Sequence, residues 1–203
     1  NLISGGTSQL ADDLAKSILN SEVIDTVREG VPAYLLLIYS FLRSNPDSED
    51  LLMAAASLNG SFSVLVVDEG RTKLFASKAL SYAEQAACAA ESSLCNIRSD
   101  GFRMLENKVS ELDIVDVPIA YSLAIAWVGW IQAHSDDWVA IGELGKAKAL
   151  MTRVIEMNER YESGGPQLYM GGMETILPAA LGGRPGKGRA HFERALEIDS
   201  GYL

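Results

Sequence analysis

Trp127 and Trp130 stand three residues apart in the most apolar helical segment of the sequence, PIAYSLAIAWVGWIQA at 118–133. An indole ring is large enough to wall a ligand channel, and its N–H is able to orient a polar group on a ligand; the competing reading is core packing. Tyr34, Tyr39, Tyr121 and Tyr169 face the same choice between lining a pore or concave groove and filling a core. His134 beside Asp136 and Asp137 has the residue types of acid–base or metal chemistry. No third ligand converges on them in the sequence, and charged residues at a helix end are ordinarily solvated, so no catalytic or metal role is assigned. His191 reads as a surface or groove residue.

Other chemical signatures are weak. The cluster Gly182-Gly183-Arg184-Pro185-Gly186-Lys187-Gly188 lacks the spacing of a phosphate loop and has no strand before it, so it reads as a turn joining two helices rather than an anion site. There is no G-x-S-x-G elbow, Walker loop or H-E-x-x-H, and no cofactor is expected. Gly171-Gly172 inside a helical pattern costs about 1 kcal/mol per glycine relative to Ala. Close helix approach, a kink or room for a ligand would offset it. Cys88 and Cys95, read within one continuous helix, would place their Cα atoms about 10 Å apart at 1.5 Å of rise per residue. That is too far for a disulfide, so two small buried thiols are expected.

These residues need helices to position them. The chain has 203 residues, 48% hydrophobic and 22% charged, a balance that favours a folded soluble chain over disorder. Its 17 basic and 27 acidic side chains give a net charge of −10, which repels phosphate backbones and anionic lipid surfaces, so nucleic acid is not an expected partner. The longest apolar stretch is read as VPAYLLLIYSFL (31–42), short of the roughly 20 residues needed to cross a bilayer. It reads as a core helix with Pro32 in its first turn, closed by the turn residues at 43–47. Beyond it the pattern predicts helices through LLMAAASLNGSFSVLVV, over 73–94, 102–110, 118–133 and 139–161, and a final pair split by Gly182-Gly183 with Pro185 opening the last. His134 to Asp137 and Gly164-Gly165-Pro166 punctuate that series. The sequence begins at Asn1 rather than Met, which points to an upstream segment with room for a signal peptide.

AHFERALEID (190–199) carries the second-helix signature of a tetratricopeptide repeat: Phe192, then small Ala195, then Leu196 and Ile198. ALMTRVIEMN (149–158) and LFASKALSYA (74–83) are weaker echoes, and Val154 to Ala195 spans about 41 residues rather than the usual 34 or so. The predicted fold is therefore all-α: degenerate antiparallel hairpins in one domain over 1–203, stacked into a right-handed superhelix with a concave binding face.

The sequence resembles the T component of tripartite ATP-independent periplasmic (TRAP) transporters, known as TatT. The likeness runs through SQLADDLAKSI, the segment 22–62, AIAWVGWI (124–131) and, most specifically, ILPAALGGRPGKGRAHFERALEI (176–198). The resemblance implies a tetratricopeptide-like periplasmic lipoprotein that forms a homotrimer, binds the transporter's solute-binding protein and helps deliver a small apolar or carboxylate solute to the permease. It implies no enzyme. Trp127, Trp130, Tyr121, Tyr169 and Tyr34 are the candidates for a ligand channel or groove; Gly182, Gly183, Pro185, Phe192 and Ala195 are assigned to the hairpin turn and its packing. No acylatable cysteine opens this sequence, so membrane attachment would need a lipid anchor upstream. The sequence also ends soon after its last recognisable helix, where family members usually continue. A second reading, a general scaffold for a peptide or protein partner without any transport role, predicts a monomer with a groove lined by Asn, Lys and Arg.

Overall fold

Turn residues and small residues decide where the helices stop and how near they pack. The computed structural model describes residues 24–200, and every regular element among them is helical. The all-α expectation holds. The chain forms two compact units, Asn1–Cys95 and Asn96–Leu203.

The first unit contains α1 (Ile24–Ser44), α2 (Glu49–Leu65) and α3 (Glu69–Ala90). Asn45-Pro46 ends α1, because the proline ring disfavours helical backbone in the residue before it. Asp68 starts α3, its carboxylate accepting the Arg71 backbone N–H at 2.8 Å. The β-rich run at 62–67 is helical only as far as Leu65: Val66 is already extended (ψ 142°), so the helix expected through Val67 stops two residues early. α2 and α3 run antiparallel along a seam of small residues: Ala54, Ala55 and Ala56 are buried on one helix, Ala76, Ala79, Ala83, Ala86 and Ala87 on the other. Phe62 meets Phe75 edge to face across that seam, ring centroids 4.7 Å apart. The fully buried Asn59 ties α1 to α2, donating to the Ala55 carbonyl at 2.7 Å and accepting from the Tyr39 hydroxyl at 2.7 Å.

Three further expectations for this unit are corrected. Pro32 lies inside α1 rather than in its first turn. An interior proline costs about 3 kcal/mol, but the buried stripe Val31, Leu35, Ile38 and Leu42 runs straight through it, and Pro32 itself faces solvent. α3 begins at Glu69 and ends at Ala90, not 73 and 94. Glu91 is extended (φ −137°), and its carboxylate accepts the Ser93 N–H at 2.8 Å, starting a tight turn at Ser92–Leu94 that buries Leu94. The turn brings the Cα atoms of Cys88 and Cys95 to 4.4 Å, and the two are disulfide-bonded. The 10 Å separation expected from the sequence assumed one unbroken helix. By loop entropy, closing so short a loop contributes about 2 kcal/mol, and a disulfide fits an oxidising compartment.

The second unit contains α4 (Phe102–Ser110), α5 (Val117–Ala133), α6 (Trp138–Gly142), α7 (Leu144–Asn158), α8 (Gly165–Thr175) and α9 (Pro185–Ile198). Pro118 opens α5 and Pro185 opens α9 as expected. Ile114–Ala133, not 31–42, is the stretch long and apolar enough to cross a membrane by composition, with mean hydropathy 1.7; more than half of it is buried inside the protein. The helix expected at 139–161 is two helices and stops at Asn158. Its break is at Glu143, whose carboxylate is drawn onto Trp127 and Arg98. Beyond α7, Glu162, Ser163 and Gly164 all take left-handed backbone (φ 46°, 55° and 90°), a reversal that sends the chain into α8.

α8 and α9 lie antiparallel and close. The Phe192 ring occupies the place of a Cβ on Gly171, at 2.6 Å, and a Cβ on Gly188 would meet Thr175 at 2.6 Å and the Gly171 carbonyl at 2.9 Å. Gly172 has nothing within 4 Å of its Cβ position. Adjacent glycines therefore respond oppositely to the same change. Gly171→Ala should lose about 1–3 kcal/mol from overpacking, and Gly172→Ala should gain about 1 kcal/mol from helix propensity, both read from urea denaturation midpoints.

Candidate functional site

Between α5, α8 and α9 lies an apolar cavity of about 250 Å³ that is open to solvent on one side, where Gln132 and Tyr169 are exposed; Val128, Leu168, Gly172, Met173 and Phe192 complete its lining. Gly171 admits the Phe192 ring that forms one wall, while the missing side chain of Gly172 leaves the space itself. Polar character among the lining residues comes from the Gln132 amide and the Tyr169 hydroxyl; no charged side chain lines it. Such a surface holds an apolar body by burial and offers one or two hydrogen bonds for orientation.

Behind this cavity lies a frame of paired charges. Glu174 on α8 is nearly buried and binds Lys148 of α7 at 3.0 Å and the Arg184 guanidinium, just before α9, at 2.8 and 2.6 Å. Burial raises its pKa, but hydrogen bonds from Arg184 and Lys148 outweigh this and hold it below the ordinary 4.5. Glu159 pairs with Arg194 of α9 and accepts from the Gln167 amide at 3.1 Å. The Arg194 hydrogen bond is the main cause holding Glu159 below 4.5. Gln167 in turn meets His191 Nδ1 at 2.6 Å. Burial holds His191 below 6.5 against the pull of Glu174, with Lys187 and Arg184 adding to the depression.

The predicted aromatic residues fall in three places. Tyr169 lines the cavity, and Tyr121 lies buried beneath it, packing edge to face against Tyr169 (5.8 Å) and Tyr161 (5.2 Å). Phe192, assigned from the sequence to hairpin packing, both packs on Gly171 and lines the cavity, and Ala195 is buried one turn further along α9. Trp127 is fully buried, and its indole N–H donates to Glu143 at 2.6 Å. Trp130 is half-buried, with the Arg98 guanidinium 4.4 Å from its ring centre and His134 packed at 4.8 Å. Arg98 also grips Glu143 through two hydrogen bonds of 2.8 and 3.1 Å. Neither tryptophan is among the lining residues of the cavity. Tyr34 and Tyr39 belong to the first unit, Tyr34 against Gly30 and Tyr39 stacked on Tyr82.

Gly182 takes left-handed backbone as expected (φ 93°), but it caps the short turn Ala179–Leu181 rather than ending α8, which stops at Thr175 ahead of Pro178; Gly183 and Pro185 complete the entry into α9. His134 ends α5, its Nδ1 2.9 Å from the Trp130 carbonyl, and Asp137 caps α6 through the Val139 N–H. Sequence reasoning did not single out Val128, Gln132, Leu168 or Met173. Nothing in their local pattern separates a groove wall from a core face.

The shifted groups predict how stability follows pH. His191 is held below 6.5 in the folded state, so the unfolded chain takes up its proton first and stability falls as pH drops through 6.5 toward the folded value. Glu159 and Glu174 contribute stability that is complete above 4.5 and is lost as pH falls through their lowered folded values. Urea midpoints should therefore decline in two steps on acidification, and His191→Asn should remove the upper step alone.

Comparison with known proteins gives one positive result. A search of curated proteins finds no match. The family model described as TRAP transporter T-component, TAtT, matches residues 21–203. With nearly the whole sequence covered, the chain belongs to the TRAP transporter T-component family.

Proposed function

We propose that this protein is a periplasmic accessory subunit that binds the solute-binding protein of a TRAP transporter and helps pass a small apolar solute to the permease. The cavity between α5, α8 and α9 carries the reading, because its walls suit an apolar body and present no cation to pair with a carboxylate. Of the two solute classes the family resemblance implies, the uncharged one is favoured. Family membership supports the transporter link, and the disulfide agrees with an oxidising compartment. The net charge of −10 favours a partner with basic surface. In this reading the subunit works as a homotrimer tethered by a lipid anchor upstream of the sequence. A peptide scaffold would be expected to line its groove with Asn, Lys and Arg, and none of these lines the cavity.

Two measurements test it. Titration of the purified protein with the solute-binding protein encoded beside it should show complex formation at micromolar concentration, and no heat or mass change across that range defeats the proposal. An environment-sensitive apolar fluorophore should bind the protein, and Gly172→Leu, which places a side chain in the open space, should weaken it at least tenfold while the helical circular dichroism is unchanged.

A further inference from the structure

The end of α3 carries a reactive group that solute delivery does not use. Cys88 is exposed on the last turn of α3 and Cys95 is half-buried, so their disulfide is open to attack from solvent. The chain leaves the first unit directly after Cys95, and the next residue, Asn96, takes left-handed backbone (φ 57°). The bond therefore closes the last turn of the first unit, residues 88–95. Within 91–96 Leu94 is the buried side chain, and the backbone hydrogen bonds are all local: Glu91 N–H to Ala87, Leu94 N–H to Glu91, Cys95 N–H to Ser92, Ser99 N–H to the Asn96 carbonyl, and the Ser93 cap. A terminal turn held mainly by local bonds opens without melting the helices that precede it.

We propose that Cys88–Cys95 is a reversible thiol–disulfide modification site, acted on by a dithiol reductant, that switches the turn at 91–95 between clamped and open. One thiolate of the reductant attacks Sγ of Cys88, and the electron pair of the broken S–S bond leaves on Sγ of Cys95, which takes a proton. The second thiol of the reductant then attacks the mixed disulfide, becoming oxidised to its own disulfide and releasing Cys88 as a thiol. Two electrons and two protons pass to the protein. The short loop makes the clamp local, so the helical units stay folded in both states.

The test uses the full chain under native conditions, with dithiothreitol as the dithiol. Alkylation followed by mass measurement should show two new thiols after reduction. A glutamate-specific protease should then cut after Glu91 at least tenfold faster, hydrogen exchange over 91–98 should accelerate, and the circular dichroism should be unchanged. Cys88→Ser/Cys95→Ser should cut at the fast rate with or without dithiothreitol. The proposal is overturned if no thiols appear without denaturant, if they appear with cleavage and exchange unaltered, or if reduction abolishes the helical signal. These readouts involve no transporter component, so their failure leaves the transport reading standing.

Discussion

Helices in this protein meet where a Cβ is small or missing, and the closeness that results is the constraint on which the other features depend. In the first unit alanines line both sides of the α2–α3 seam, and Gly60 lies against Ala79. In the second unit Gly171 and Gly188 let α8 and α9 approach until a phenyl ring and a backbone carbonyl fill the space that side chains would take. Dispersion contacts are individually small and fall off steeply with separation, so this proximity converts modest side chains into a packed interior. One residue of helical rotation takes Gly172 off that contact, and its Cβ position meets nothing within 4 Å. A tight seam and an open cavity thus arise from one pair of glycines.

Acidic composition has a local meaning different from its global one. Over the whole chain it repels polyanions, yet within the second unit three carboxylates act as bridges between elements. Glu174 joins α7 to the start of α9, Glu159 joins the end of α7 to α8 and α9, and Glu143 joins α6 and α7 to Trp127 of α5 and to Arg98. Each accepts from at least two donors, and for Glu174, the most buried of the three, those bonds outweigh the cost of burial. With the charges taken up in this frame, the cavity wall is left to carbon, sulfur, one amide and one phenol.

The two tryptophans show how three-dimensional context separates residues that a sequence treats alike. Trp127 and Trp130 share a helix, a spacing and an apolar neighbourhood, but the indole of Trp127 is wholly buried with its N–H satisfied by Glu143, while Trp130 lies half-open beneath a guanidinium. Arg98 and Glu143, which produce the difference, are 45 residues apart. The disulfide has a similar origin: a helix that stops four residues early, at an extended Glu91, turns a forbidden separation into a bonding one.

Local chemistry in the sequence determined the helical character, the punctuation at Asn45-Pro46, Asp68, Pro118, Gly182 and Pro185, and the family to which the chain belongs, because capping, proline geometry and left-handed glycine act over a few residues. It also marked Gly171-Gly172 as a place where something offsets a poor helix former, and Tyr169 as a side chain of the right kind, while it assigned Phe192 to packing alone. Tertiary structure alone decided which of the two glycines packs and which opens, that Val128, Gln132, Leu168 and Met173 complete the cavity, and that Cys88 and Cys95 join. Each of those outcomes turns on the distance between residues far apart in the chain or across a break in a helix, and such distances are set by packing, which no local pattern encodes.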